Sequence, residues 1–284
     1  MTKKVEISTK VFMDLMGFGT YRIIGKDQTK AALDAALAVG NFNQCIITLF
    51  IGYRSLDTGQ IYENEADIGF ALKELLDKHG LERKDFFITS KLNVAYLGTE
   101  KANTSIYNTL QDLQTSYVDL FLIHYPKPSF AEQSDPLNKK YRLDGWKILE
   151  NFKNLSQRAS TEKPAVNQCE FHPHMIRRDL RNYCEFKGIH FQAFASLGRN
   201  NSELVQESVL KKIAEARNVS VSQVLLAWAL NQGVGVIPKS ADPSRMKSNF
   251  EAQFITLTPE EIAQIDSLDR GFHPYTKNNP WDVI

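Results

Sequence analysis

Seven short runs of β-branched, aromatic and other apolar residues recur along the chain, and most are separated by longer segments of helical pattern. The runs are Met16–Thr20, Tyr53–Asp57, Phe86–Ser90, Val118–His124, Ala165–Phe171, Ile189–Ala195 and Gly233–Pro238. Strands alternating with helices predict βαβ units and a parallel sheet. Val-Asp-Leu-Phe-Leu-Ile-His (118–124) lacks polar alternation, as a strand buried on both faces requires. Thr29–Val39 carries an apolar stripe at Ala32, Ala36 and Val39; Glu65–Leu76, Lys101–Leu113, Val209–Arg217 and Ser222–Leu230 are further predicted helices. Ser220 with Gln223, and Thr258-Pro259 with Glu261, read as capping boxes.

A chain of 284 residues in this pattern suits a (β/α)8 barrel or an open doubly wound sheet. The second architecture opens with a Gly-rich phosphate loop. Gly17-Phe18-Gly19-Thr20-Tyr21-Arg22 puts Arg where the third glycine belongs, and Gly19 to Gly25-Lys26 has the wrong spacing for a P-loop. The barrel is therefore expected, as one domain over residues 1–284. Lys+Arg 34 against Asp+Glu 33 provides no basic field for nucleic acid. The longest apolar run, Cys45–Ile51, is too short to span a bilayer, and the polar start has no signal-peptide core. Three cysteines without metal spacing read as reduced thiols of a cytoplasmic protein. No metal is expected; His172-Pro173-His174 reads as loop residues after a strand.

In a barrel, function lies at the C-terminal ends of strands. Asp57, Lys91 and His124 end or follow three predicted strands, and Tyr62 lies in the loop after Asp57. Lys91 beside a phenol favours the phenolate and is expected to lower its pKa. Asp57 can hold Lys91 charged, and a neutral His124 can hydrogen-bond to a reacting oxygen. Such a cradle suits proton donation to a carbonyl, and the hydride must then come from a nicotinamide. Taken singly, each residue also fits an ordinary role: Asp57 in a turn, Lys91 as a solvated strand end, His124 as a satisfied histidine, Tyr62 in loop packing.

The segments GYRSLDTGQIYENEADIG (52–69), FFITSKL (86–92), VDLFLIHYP (118–126), KPAVNQCEFHP (163–173) and VGVIPKS (234–240) resemble the aldo-keto reductases over most of the chain. Successive separations of 5, 29 and 33 residues, from Asp57 to Tyr62, to Lys91, to His124, match that family's tetrad. The resemblance implies that Tyr62 is the general acid, Lys91 and Asp57 tune it, and His124 orients the carbonyl oxygen. It implies NADPH/NADP+ as cofactor. Lys239, Ser240 and Arg245 would hold the 2′-phosphate near a helix opened by Asp242 and Pro243. Asn249 would contact the adenine, Gln168 the carboxamide, Phe194 the nicotinamide ring, with Leu197 in the same cofactor site. Tyr21, Asn93 and His124 would line the pocket of a small carbonyl substrate. A monomer is expected.

Two departures interrupt the likeness. Asn41 to Ile51 is an insertion between Gly40 and Gly52. Near 155–162, Leu155 to Ser160 runs directly to Lys163-Pro164, without the family's fifth strand, its terminal Ser-Asn, or part of the following helix. Both start and stop cleanly within matching sequence, as in a spliced form or an imperfect gene model. The expected fold is thus an α/β (β/α)8 TIM-type barrel lacking one stave. A catalytically impaired isoform acting as a binding or structural protein remains the alternative. The tail from Gly271 to Ile284 is short where the family shapes its pocket. A short-chain dehydrogenase, which needs Tyr and Lys four apart, does not fit.

Overall fold

The structure, a computed structural model, describes residues 2–39, 52–156, 163–271 and 283. The insertion at 41–51, residues 157–162 of the expected deletion and most of the tail lie outside them. The elements run β1 (Lys4–Ser8), β2 (Val11–Asp14), β3 (Phe18–Gly19), α1 (Lys26–Ala38), β4 (Ser55–Asp57), α2 (Glu65–Lys78), β5 (Phe87–Leu92), α3 (Lys101–Asp112), β6 (Leu120–Ile123), α4 (Asn138–Ser156), β7 (Val166–Glu170), α5 (Arg178–Phe186), β8 (His190–Phe194), α6 (Ser202–Val205), α7 (Ser208–Arg217), α8 (Val221–Asn231), β9 (Gly235–Val236), α9 (Pro243–Glu251) and α10 (Pro259–Asp266). Each of the seven predicted runs overlaps a strand, shorter than predicted in six cases, while β5 runs on past Ser90 to Leu92. Among the described residues no helix is long and apolar enough to cross a membrane.

The described residues divide into two compact units. Among them, one draws on 2–19, 34–39, 52–55 and 164–271, the other on 20–33, 56–156, 163 and 283. In the second, β4, β5 and β6 neighbour each other in that order, and β5 pairs parallel to β6 with Lys91 opposite Leu122. All six residues of β5 are buried, Ser90 and Lys91 included. A strand sealed on both faces carries apolar residues throughout, so a lysine there must find fixed partners. α2 and α3 pack so closely that a Cβ on Gly69 would lie 2.2 Å from the Asp112 carbonyl oxygen.

In the first unit β7, β8 and β9 form a parallel sheet with Gln168 opposite Gln192 and Ala193 opposite Val236. Phe171, just after β7, stacks on Trp228 of α8 at 4.6 Å and 7°. The expected caps form. Ser220 and Gln223 close a box on α8, Thr258 and Glu261 on α10, and Asp242 caps α9 with Pro243 behind it. The antiparallel hairpin of β1 and β2 was not expected. Its Thr9-Lys10 turn places Lys10 at φ 62 without the glycine or asparagine that signals such turns.

Gly69→Ala should lower stability by about 1–3 kcal/mol, because the clash is with α3 backbone rather than a movable side chain. Denaturant unfolding checks it. An unchanged midpoint would mean that the two helices separate freely.

Candidate active site

Lys91 organises one cluster within the second unit. The lysine is 2% exposed. Its ammonium donates to Asp57 Oδ1 at 2.5 Å, the Thr58 carbonyl at 2.7 Å and Tyr62 Oη at 3.1 Å. An ammonium has three protons to donate, so all are used. Because the phenol oxygen accepts from Lys91, its own proton is directed elsewhere. The His124 ring meets the Tyr62 ring edge-on at 5.4 Å, and the Tyr21 ring lies 5.1 Å from it on a tilt.

Local folding explains the convergence. β4 ends on Asp57 and β5 carries Lys91 in its fifth position. A 3-10 turn, Gln60–Tyr62, then lifts Tyr62 back over the strand ends and stops at Glu63 in the left-handed region, φ 55. A Cβ on Gly59 would approach the His124 ring and Lys91 Cβ to 3.3 Å, so the glycine leaves room for both. Asn64, before α2, has a role that the sequence analysis does not anticipate. Its side chain is buried, donating to the Thr20 and Ile23 carbonyls and accepting from Thr58 Oγ1. It thereby fixes the loop bearing Tyr21. Asn93 donates its backbone N–H to Gln60 Oε1 at 2.7 Å and accepts with its side chain from Ala95 N.

The electrostatics correct one expectation. Burial raises the Tyr62 pKa above its ordinary value, and Lys91 offsets that only in part. The phenol thus stays protonated at neutral pH more firmly than a free tyrosine, whereas proximity to an ammonium alone predicted the reverse. Burial pulls the Lys91 ammonium down, but Asp57 and Tyr62 more than compensate, so it remains charged. Burial, with the Lys91 charge adding to it, lowers His124 to about 3 and keeps the imidazole neutral. Its buried Nδ1 has no hydrogen-bond partner among the described residues.

Glu65, absent from the expected site, is 5% exposed and accepts from Ser90 Oγ at 2.5 Å and Thr109 Oγ1 at 2.9 Å. Burial pushes it up to about 6, against the pull of those two donors and of Lys91. Its adjacency to the strand residue Ser90 depends on tertiary packing, for which the quoted motif held no signal beyond a carboxylate among apolar residues.

The residues expected to hold a cofactor lie in the first unit. Gln168 of β7 donates to Gln192 of β8 at 2.9 Å, and Phe194 is half-buried at the end of β8. Leu197 follows two residues after Ala195, which adopts φ 52. Lys239, Ser240, Arg245 and Asn249 share one stretch through the N-terminus of α9. Lys239 and Arg245 are exposed, while Ser240 and Asn249 are buried. Ser240 Oγ accepts from Asp242 N at 3.0 Å, and Asp242 Oδ1 accepts from Arg245 N at 3.0 Å. Two cations, a hydroxyl and a helix N-terminus form a donor set suited to phosphate, although Asp242 already caps that helix. His172 and His174 each face a carboxylate instead, Glu170 at 3.2 Å and Glu207 at 2.8 Å. Cys169 and Cys184 are free and buried.

The sequence profile of the Aldo/keto reductase family matches residues 15–270. The chain is 34% identical over 275 residues to "Glyoxal reductase" of Bacillus subtilis (strain 168), covering 94% of this chain and 92% of that protein. It is 34% identical over 268 residues to "Methylglyoxal reductase DkgB" of Yersinia pestis, covering 90% and 93%. The crystal structure of an aldo/keto reductase from Brucella melitensis superposes with a TM-score of 0.78 at 27% identity, covering 95% of this chain and all of that one. This chain therefore belongs to the aldo/keto reductase family, and its fold class is the α/β TIM-type barrel. Members of the family are oxidoreductases that act on small carbonyl compounds with nicotinamide cofactors.

Glu65 supplies a pH-dependent test. Its folded pKa near 6 exceeds the unfolded 4.5, so the native state holds the proton more tightly. Stability should therefore fall as pH rises from 4.5 through 6, by about 2 kcal/mol. Unfolding of wild type against Glu65→Gln across that range checks this; a pH-independent difference would refute it. His124, near 3, should show no imidazole titration by NMR between about pH 5 and 8.

Proposed function

We propose that this chain catalyses the NADPH-dependent reduction of small aldehydes and ketones to alcohols, with Tyr62 giving the proton. The observation that carries the reading is the contact of the buried Lys91 ammonium with both Asp57 and Tyr62 Oη. As the phenol proton leaves for a carbonyl oxygen, charge develops on Oη, where Lys91 already donates. Asp57 keeps Lys91 oriented and charged. His124 is neutral at working pH, so it can hydrogen-bond to the substrate oxygen without adding a second positive charge. Tyr21 lies against the Tyr62 ring, Asn93 bonds to the turn that carries Tyr62, and both are read as pocket residues.

When bound, NADPH supplies the hydride, which no side chain can provide. Lys239, Ser240 and Arg245 would hold its 2′-phosphate, Asn249 the adenine, and Gln168, Phe194 and Leu197 the nicotinamide end. The donor set at the start of α9 supports this assignment. Similarity to glyoxal and methylglyoxal reductases supports small reactive aldehydes as substrates. The proposal takes the chain as a single domain, a cytoplasmic monomer with no nucleic-acid or membrane partner.

We also read the barrel as lacking its fifth strand. Among the described residues α4 is followed by β7 with no strand between. β6 is half-buried at all four positions, whereas β5 is buried at all six, as expected where a neighbouring strand is lost. This same observation favours the second reading, a member that binds cofactor without turnover.

Tyr62→Phe should cut NADPH-dependent reduction of methylglyoxal by roughly 10²-fold or more. Binding of NADPH, followed by quenching of the three tryptophans, should change little. Equal turnover would end the mechanistic claim, and quenching by wild type without turnover of any aldehyde would favour the binding protein. Replacing Lys239 and Arg245 together by Met should weaken NADPH about tenfold or more and NADH much less. Equal loss for both would remove the 2′-phosphate assignment.

A further inference from the structure

Gln60 is not part of the four-residue cluster, yet its side chain makes three hydrogen bonds around it. Oε1 accepts from Asn93 N at 2.7 Å, two residues beyond Lys91. Nε2 donates to the Ser105 carbonyl at 2.8 Å and to Thr109 Oγ1 at 3.0 Å, both on α3. Thr109 in turn donates its hydroxyl to Glu65 on α2, and Glu65 also accepts from the hydroxyl of Ser90, the residue before Lys91. The bonds therefore close a ring: from the turn bearing Tyr62 to α3, to α2, to Ser90 of β5, and through Asn93 just after β5 back to the turn.

The turn needs such fastening. Gln60–Tyr62 is three residues long, its N-terminal Gly59 offers no side-chain cap, and its last backbone bond, Glu63 N to Gln60 O, is stretched to 3.4 Å. A 3-10 turn with poor internal geometry holds its place through outside contacts. Gln60 is the side chain within this turn that reaches both the end of β5 and α3.

We propose that Gln60 is a positioning residue, which sets the distance between Tyr62 Oη and Lys91 Nζ by tying the tyrosine-bearing turn to the end of β5 and to α3. The inference rests on the reductase reading for its catalytic consequence but not for its geometry. A small displacement of a reacting group costs rate far more than it costs binding. Gln60→Met keeps the length and volume and removes all three bonds. Gln60→Glu keeps the acceptor for the Asn93 amide and loses both donations.

The experiment combines kinetics with ring-carbon NMR of the intact chain, the Tyr62 signal being assigned by its loss in Tyr62→Phe. For Gln60→Met, kcat for methylglyoxal should fall about tenfold or more while KM for NADPH stays within about twofold. The Tyr62 ζ-carbon resonance, which reports the hydrogen bond from Lys91, should move from its wild-type position. Gln60→Glu should fall between wild type and Gln60→Met, and it carries both readouts if the methionine variant does not fold. An unmoved Tyr62 resonance in the folded variant overturns the proposal, whatever the rate. A moved resonance in a protein that turns over no aldehyde supports the positioning role while ending the reductase reading.

Discussion

The buried ammonium of Lys91 is the interaction on which the site depends. A lone charge in a sealed strand would be expelled or neutralised, because desolvation in a low-dielectric interior costs several kcal/mol. Here the charge persists because three acceptors meet it: a carboxylate, a carbonyl and a phenol. Each comes from the short stretch between β4 and α2. The end of β4 supplies Asp57, the next residue supplies its carbonyl, and the 3-10 turn returns Tyr62 to the same point. The geometry of that stretch is therefore as much a solvation shell for Lys91 as a scaffold for chemistry.

This view explains why Tyr62 behaves contrary to the simplest electrostatic expectation. An ammonium at 3.1 Å favours the phenolate, but the enclosure that fixes the ammonium also strips water from the phenol. Desolvation is the larger effect, so the resting group is the acid. In the proposed reduction, Lys91 acts on the charge that would appear after the proton has gone, not on the charge at rest. His124 follows the same rule: burial and the Lys91 charge both act against a second cation, so a neutral ring stands beside the phenol.

Much of this was legible in the residues. The strand-end positions of Asp57, Lys91 and His124 followed from a strand-and-helix alternation plus the rule that barrels work at their C-terminal rim. The capping boxes at Ser220 and Thr258 were readable because capping is local, using side chains three residues apart. What stayed hidden was long-range. Glu65 meets Ser90 across 25 positions and Thr109 across 44, and Gln60 meets Asn93 across 33. No local pattern encodes such pairings; they arise from helix packing that brings Gly69 of α2 against the end of α3. The N-terminal hairpin escaped for the opposite reason, since its turn uses residues that carry no turn signal.

The polar ring behind the site raises the question of why so much hydrogen bonding is buried where apolar packing would stabilise more. A carboxylate held near pH 6 by burial is a net cost to the fold at neutral pH. Apolar side chains fill space but set distances only loosely, because dispersion is non-directional. Hydrogen bonds fix donor and acceptor to within a few tenths of an ångström and restrict their angles. A phenol that must stay within donating distance of Lys91, on a turn too short to hold itself, needs directional constraint more than burial. The stability given up at Glu65 is thus coupled to the geometry gained at Tyr62, through Ser90 on one side and Thr109 and Gln60 on the other.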